Sequence, residues 1–176
     1  SYAAEAIARC GVGHITIIDP DRIEPTNLNR QLPALVSTLG QFKVEVISRR
    51  MLDINPTLEL ESLNCAYNAE NSHLLLERNL DFVIDAIDAL NDKIHLIKNC
   101  VENGIPIISS MGTANRINPL KLTIADIKDT SICPLARRVR RELRSKYNIN
   151  QGVPVVYSAE IPVTINAEVG GRLGTM

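Results

Sequence analysis

The residues best equipped for chemistry lie in one stretch, IIDPDRIEPTNLNRQ, which ends at Gln31. The apolar run Ile15-Thr16-Ile17-Ile18 stops at Asp19, as a buried parallel strand stops at its functional edge. Pro20 forbids continuation, and a polar segment then delivers Asn27, Asn29, Arg30 and Gln31. A carboxylate at a strand tip suits a ribose hydroxyl, and a planar guanidinium suits a phosphate, which it pairs bidentately. Asp19 alone is open to other readings, a loop cap or the acid of a dinucleotide enzyme. Arg30 favours a nucleotide phosphate, since a dinucleotide site does not need it. Lys43 adds a second cation in the first turn of a helix, where the helix dipole disfavours it and a ligand would explain it. Asp85 and Asp88 stand three apart at the end of another apolar run. One carboxylate there can take a magnesium ion that keeps most of its waters. The competing role is an N-cap for the following helix, for which Asn91 or Asp92 is better placed than Asp88.

The elements that position these groups follow from periodicity. Ala4, Ile7 and Ala8 predict a helix over 2–10, closed by Gly11 in a left-handed cap. Val44, Ile47 and Met51 predict a helix over 41–54, ended by Asn55-Pro56. Residues 58–63 read as an edge-like strand, 73–77 as a short helix, 81–87 as a buried strand and 105–110 as another. Between the last two, Ile94, Ile97 and Val101 predict the inward face of a helix over 91–103. Such helix–strand alternation means a parallel sheet with right-handed crossovers and ligands at the strands' carboxyl ends. Two later strands, 120–124 and 153–157, break the rhythm and are expected to extend the sheet in antiparallel fashion. The fold class is therefore α/β, three layers around a mainly parallel sheet, and 176 residues suit one domain.

Between those later strands runs PLARRVRRELRSKY. Leu135, Val139, Leu143 and Tyr147 recur every fourth residue and predict one apolar stripe on a helix. Arg137, Arg138, Arg140, Arg141, Arg144 and Lys146 take the other faces, opposed there only by Glu142. In a chain of 19 basic and 20 acidic residues, net −1, this is a focused phosphate-binding patch rather than a general attraction to nucleic acid. With two Phe, four Tyr and no Trp, the patch is suited to gripping backbone rather than stacking bases.

Composition is that of an ordinary globular protein, 45% hydrophobic and 22% charged. No apolar run approaches the roughly 18 residues of a membrane span. Cys10, Cys65, Cys100 and Cys133 are far apart with no CxxC pair, which excludes a zinc ribbon and points to free thiols in a reducing cytoplasm. Cys133 stands at the mouth of the arginine-rich helix, a setting that would lower the pKa of a thiol and activate it.

Four ordered motifs, Asp19-Pro-Asp21, Thr26-Asn-Leu-Asn-Arg-Gln31, Gly40-Gln-Phe-Lys43 and Asp85-Ala-Ile-Asp88, resemble the ThiF/MoeB group of ubiquitin-activating-enzyme-like adenylating proteins. The resemblance implies a Rossmann-like ATP-binding adenylation domain over 1–176. It implies Asp19 at the ribose, Asn27, Arg30, Gln31 and Lys43 around the phosphates, Asp21 among the nucleotide-binding residues, and Asp88 managing Mg2+. Arg30, Lys43 and Asp88 are then the catalytic candidates. The segment Asp129-Thr-Ser through Arg144, together with Tyr157-Ser-Ala-Glu160, is similar to the family's tRNA threonylcarbamoyladenosine dehydratase branch. That likeness implies ATP-driven cyclisation of a modified adenosine in the tRNA anticodon loop, a homodimer, and a sulfur-relay protein as a candidate partner. Adenylation of a sulfur carrier's C-terminus, or nucleotide and tRNA binding without chemistry, are the alternatives. The family's first strand and GxGGxGS loop would precede Ser1, and Val169–Met176 falls short of its final strand and helix, so the chain reads as trimmed at both ends and is expected to bind ATP weakly.

Overall fold

The computed structural model describes residues 1–76 and 79–163. Glu77, the last residue of the short helix expected over 73–77, and the segment Val169–Met176 lie outside the described residues. Two compact units are present, Ser1–Tyr67 and a second beginning at Asn68.

In the first unit, helix α1 (Tyr2–Arg9), strand β1 (His14–Ile18), helix α2 (Lys43–Ile54) and strand β2 (Glu59–Leu63) form an α/β layer pair. β1 and β2 run parallel, with His14 opposite Glu59 and Ile18 opposite Leu63. The small and branched residues expected inward are inward: Ala8, Ile15, Ile47, Met51 and Leu58 make one buried cluster, with Ala4 and Ile7 against it. Burying each large member contributes about 1.5–3 kcal/mol. Gly11 takes φ +77 at the end of α1, as its lack of a Cβ allows. The Asp19 amide donates to Leu63 O at 3.2 Å, so the ladder reaches one residue past β1 and holds Asp19 at the strand tip.

The second unit contains α3 (Ser72–Leu76), β3 (Val83–Asp85), α4 (Leu90–Glu102), β4 (Ile107–Ser110), β5 (Leu122–Asp126), α5 (Pro134–Tyr147) and β6 (Pro154–Ser158). Its sheet has the order β3-β4-β6-β5. β5 is antiparallel to β6, as expected, but β6 lies parallel to β4 and continues the parallel part of the sheet. The fold is mixed α/β; Ile94, Ile97 and Cys100 of α4 and Ala136, Val139 and Leu143 of α5 are buried, α4 packs on β3 and β4, and α5 packs on α4.

The strand expected over 81–87 shrinks to three residues, and it is not a buried apolar run: Phe82 and Ile84 are exposed while Asp85 is buried. Strand alternation puts Val83 and Asp85 on one face and Ile84 on the other, and the carboxylate takes the inner one. On α4 the buried arc is centred on Lys93, Ile97 and Cys100, which leaves Val101 at the rim. On α5 Ala136 joins Val139 and Leu143 in the buried stripe, while Tyr147 at the last turn is exposed and Leu135 only half-buried. None of Asp88, Asn91 and Asp92 caps α4; its N-cap is Ala89, without a side-chain bond.

Candidate functional site

At the tip of β1 the chain makes a tight polar turn. Asp19 Oδ1 accepts the Asp21 amide at 2.9 Å, the bond an aspartate makes to its own backbone two residues on. A second segment then folds back alongside. Arg22 and Phe42 form an antiparallel bridge, the Ile23 amide donates to Gln41 O, and the Gly40 amide donates to Ile23 O, each at 2.9 Å. Gly40 sits at φ +80, where a side chain would be strained. The Arg22 guanidinium stacks on the Phe42 ring, 3.6 Å from its centroid, and donates to Gly40 O. This staple delivers Lys43 to the turn: its amide bonds Asp21 O at 3.0 Å and its ammonium reaches Asp21 Oδ2 at 2.6 Å. Three of the residues singled out in the sequence, Asp19, Asp21 and Lys43, are thus gathered within one hydrogen-bonded turn.

Partial burial raises the Asp19 carboxyl above the ordinary range, against the Asp21 amide and the Lys43 charge, which pull it down. Among the described residues the Asp21 amide is the hydrogen-bond donor it meets, at Oδ1, which leaves Oδ2 able to accept a ligand hydroxyl.

Asn27, Arg30 and Gln31 follow on the same loop. Pro25–Asn27 is a single 3-10 turn opened by Pro25, and the buried Asn27 accepts the Glu24 amide through Oδ1 at 3.0 Å. Its carbonyl also takes the Arg30 and Gln31 amides, so Asn27 is the bracket of the loop as well as a candidate contact. Arg30 is half-buried; Nη1 donates to Thr26 O at 2.7 Å and to Asn29 Oδ1 at 2.9 Å. Both partners are neutral, so the guanidinium keeps its full charge for a ligand. The Gln31 side chain makes no hydrogen bond among the described residues.

Asp88 belongs to the second unit, on the turn between β3 and α4, where its carboxylate is exposed and makes no ion pair among the described residues. No group of three or more metal-type side chains occurs among those residues. A lone hard oxygen ligand of this kind fits Mg2+, which binds through one or two carboxylates and keeps its waters, better than it fits zinc.

The six cations of α5 separate into three kinds. Arg137, Arg138 and Arg144 are exposed and make no ion pair among the described residues. Arg141 and Lys146 share Glu142, at 3.2 and 2.9 Å, which pulls the Glu142 carboxyl down. Arg140 turns inward: Nη1 donates to Ile127 O at 3.2 Å and to Thr130 O and Oγ1 at 2.9 and 2.5 Å. Cys133 is buried and caps the helix, its sulfur accepting the Ala136 amide at 3.5 Å and donating to Gly112 O at 3.6 Å. The thiol expected at the helix mouth is therefore a structural cap turned away from solvent.

Two buried cations escaped the sequence reading. Lys93 is fully buried, with its ammonium 2.7 Å from Asp85 Oδ2, 3.2 Å from Ser109 Oγ and 3.0 Å from Ser110 O. The available signal was its register, since Lys93, Ile97 and Cys100 share one helical face. Arg116 is also buried, donating to Glu160 O, Gly112 O and Ala114 O, with Nη2 lacking a partner among the described residues.

The sequence pattern of the ThiF family matches residues 1–160. The chain belongs to the ThiF family. Within it, the chain is 47% identical over 174 residues to the tRNA threonylcarbamoyladenosine dehydratase of Bacillus subtilis, covering 99% of this chain and 68% of that protein. The dehydratase of Escherichia coli is 36% identical over 166 residues, covering 91% of this chain and 62% of that protein. The crystal structure of the Escherichia coli dehydratase TcdA in complex with ATP superposes with a TM-score of 0.89 at 35% identity, over 92% of this chain and 69% of that one. The ThiF-family chain thus spans about two thirds of the length of these relatives. The Rossmann-like fold expected from the four motifs agrees with this superposition. No helix among the described residues is long and apolar enough to cross a membrane.

Proposed function

We propose that residues 1–176 form the adenylation domain of an ATP-dependent tRNA threonylcarbamoyladenosine dehydratase. The observation that carries this reading is the 47% identity with the Bacillus subtilis dehydratase over 99% of the chain, a span that includes both the Asp19–Lys43 turn and α5. TcdA has been crystallised with ATP, which supports ATP as the co-substrate here.

In this reading Asp19 accepts the ribose hydroxyl, and Asp21, Asn27 and Gln31 line the nucleotide. Arg30 and Lys43 bring positive charge to the phosphates, where it stabilises the additional negative charge of the transition state. Asp88 holds Mg2+, which when bound offsets phosphate charge. The threonyl carboxylate of the modified adenosine forms a bond to the α-phosphorus of ATP as the bond to pyrophosphate breaks. A nitrogen or oxygen of the same side group then attacks the activated carbonyl, loses its proton, and AMP departs. The net change in the nucleoside is the loss of one water. The solvent-facing Arg137, Arg138 and Arg144 grip the tRNA backbone, with Arg141 and Lys146 at the rim. A cytoplasmic homodimer, and a sulfur-relay protein as partner, belong to the same reading.

The intact protein, given ATP, Mg2+ and tRNA carrying threonylcarbamoyladenosine, is expected to lower the nucleoside mass by one water. Arg30→Ala should abolish this with an unchanged circular dichroism spectrum. An unaltered nucleoside in the wild-type reaction overturns the reading. Pyrophosphate exchange stimulated by a small protein with a Gly-Gly tail, and not by tRNA, would instead favour activation of a sulfur carrier.

A further inference from the structure

We propose that Lys93 is a positioning residue for Asp88, acting as the buried clasp of the loop that carries it; the inference rests on the role given to Asp88 above. Asp85 lies three residues before Asp88 and Lys93 five after, and the two meet in an ion pair of 2.7 Å with both side chains fully buried. The loop 85–93 is therefore closed at its base by a charge pair and presents the exposed Asp88 near its tip. The other oxygen of Asp85, Oδ1, accepts the Ile87 amide at 2.9 Å and so fixes the residue immediately before Asp88. On the far side Lys93 is the fourth residue of α4, which begins at Leu90, and its amide closes the first turn on Ala89 O at 3.0 Å.

The same ammonium reaches across to β4. It donates to Ser110 O at 3.0 Å and Ser109 Oγ at 3.2 Å, and Ser109 Oγ in turn bonds Asp85 Oδ2 at 2.5 Å. All three protons of Lys93 are used, and the carboxyl ends of β3 and β4 are tied to one point. Ligands bind outside such strand ends in open α/β sheets.

Stability alone is a poor reason for this arrangement. Desolvating both charges offsets most of their attraction, and well-packed apolar residues would often serve as well or better. A buried pair whose members flank an exposed carboxylate is instead suited to fixing where that carboxylate points. Groups bonded directly to a metal ligand change metal affinity about 10- to 100-fold when removed. Lys93 acts one step further back, through Asp85 and the Ile87 amide, so that range is the upper end of its effect.

The test uses the intact protein. Lys93→Met removes the charge and keeps the stem; if it does not fold, Lys93→Met/Asp85→Asn removes the orphaned carboxylate charge while leaving an acceptor for the Ile87 amide. The folded variant is expected to bind Mn2+ more weakly, by up to about 10- to 100-fold, in electron paramagnetic resonance titration in the presence of α,β-methylene ATP. Its half-saturating Mg2+ concentration in turnover should rise by a similar factor. Adding Asp88→Asn to the folded variant should cost little more, because both changes act on one ligand. Wild-type Mn2+ affinity in the folded variant, or a full additive loss on adding Asp88→Asn, overturns the proposal. Failure of the wild-type protein to bind Mn2+ with the nucleotide, or to dehydrate tRNA, would instead remove the reading of Asp88 on which the proposal stands.

Discussion

Arg140 is the cation of α5 whose substitution most sharply separates stability from nucleic-acid binding. Arg140→Met keeps the aliphatic stem and deletes the guanidinium. Nη1 carries two protons, shared among Ile127 O, Thr130 O and Thr130 Oγ1, so about two charge-assisted bonds are lost. Each is worth about 1.5–3 kcal/mol, and the half-exposed side chain lets water recover part of that. A net loss of about 3 kcal/mol lowers the melting temperature by roughly 6–12 °C for a chain of this length. The same variant should leave the salt dependence of tRNA binding unchanged. Replacing Arg137, Arg138 and Arg144 together should do the reverse, keeping the melting temperature and lowering the slope of log K against log salt by about 2–3, at roughly 0.7–0.9 per phosphate. Thermal melts followed by circular dichroism and filter binding over a salt series read both quantities. If Arg140→Met melts like the wild type but loses about one unit of salt slope, its inward tether has been misjudged and all six cations belong to one patch.

Other consequences follow from single groups. Arg50 and Arg9 hold the Glu5 carboxyl down at about 2, against an ordinary value of 4.5. A folded pKa below the unfolded one gives stability that is complete above about 4.5 and drains away as pH falls toward 2, so Glu5→Gln should flatten acid urea melts across that window. Burial first, and the Asp85 charge second, push the Cys100 thiol up to about 11. Iodoacetamide at mildly alkaline pH should therefore alkylate the exposed Cys10 while sparing Cys100 and the buried Cys133, as peptide mass mapping would show. Lys43→Met should lower turnover about 100-fold or more with the fold intact, and a turnover within a few-fold of wild type would count against its place at the phosphates.

The helices of the first unit were legible because they rest on local periodicity: Ala4, Ile7 and Ala8 on α1, or Val44, Ile47 and Met51 on α2, each point to one face. The direction of β6 was not, since it is set by long-range pairing with β4 on one side and β5 on the other, which local periodicity does not encode. At the site, Asp19 at a strand tip could be read from a hydrophobic run meeting an acid. The Asp21–Lys43 pair could not, because it depends on the Arg22–Phe42 bridge closing a loop of some twenty residues. Charge runs were the least legible feature. Six cations on α5 look equivalent in sequence, yet tertiary carbonyls claim one and Glu142 shares two. Lys93 was missed for the same reason, as its burial is set by a partner eight residues back and a serine on the neighbouring strand.

Asp19 and Glu5 respond to pH with opposite signs, and the contrast tests whether the turn at β1 is built for a ligand. Burial raises the Asp19 carboxyl above its ordinary 3.8, so the folded state holds this proton more tightly than the unfolded chain does. The resulting penalty is absent at low pH and complete once pH exceeds the folded value; at neutral pH Asp19 therefore costs the fold stability. Asp19→Asn keeps an oxygen for the Asp21 amide and removes the charge. Its stability at neutral pH should equal or exceed that of the wild type, whereas its ATP affinity should fall. Wild-type affinity should also decline as pH drops into the raised range of Asp19, with the variant flat over the same interval. Calorimetric ATP titrations across pH and urea melts at neutral pH supply the two measurements. A variant less stable than the wild type at neutral pH would mean that the Asp21 amide and Lys43 outweigh burial, and that Asp19 is there to hold the turn rather than to meet a ribose.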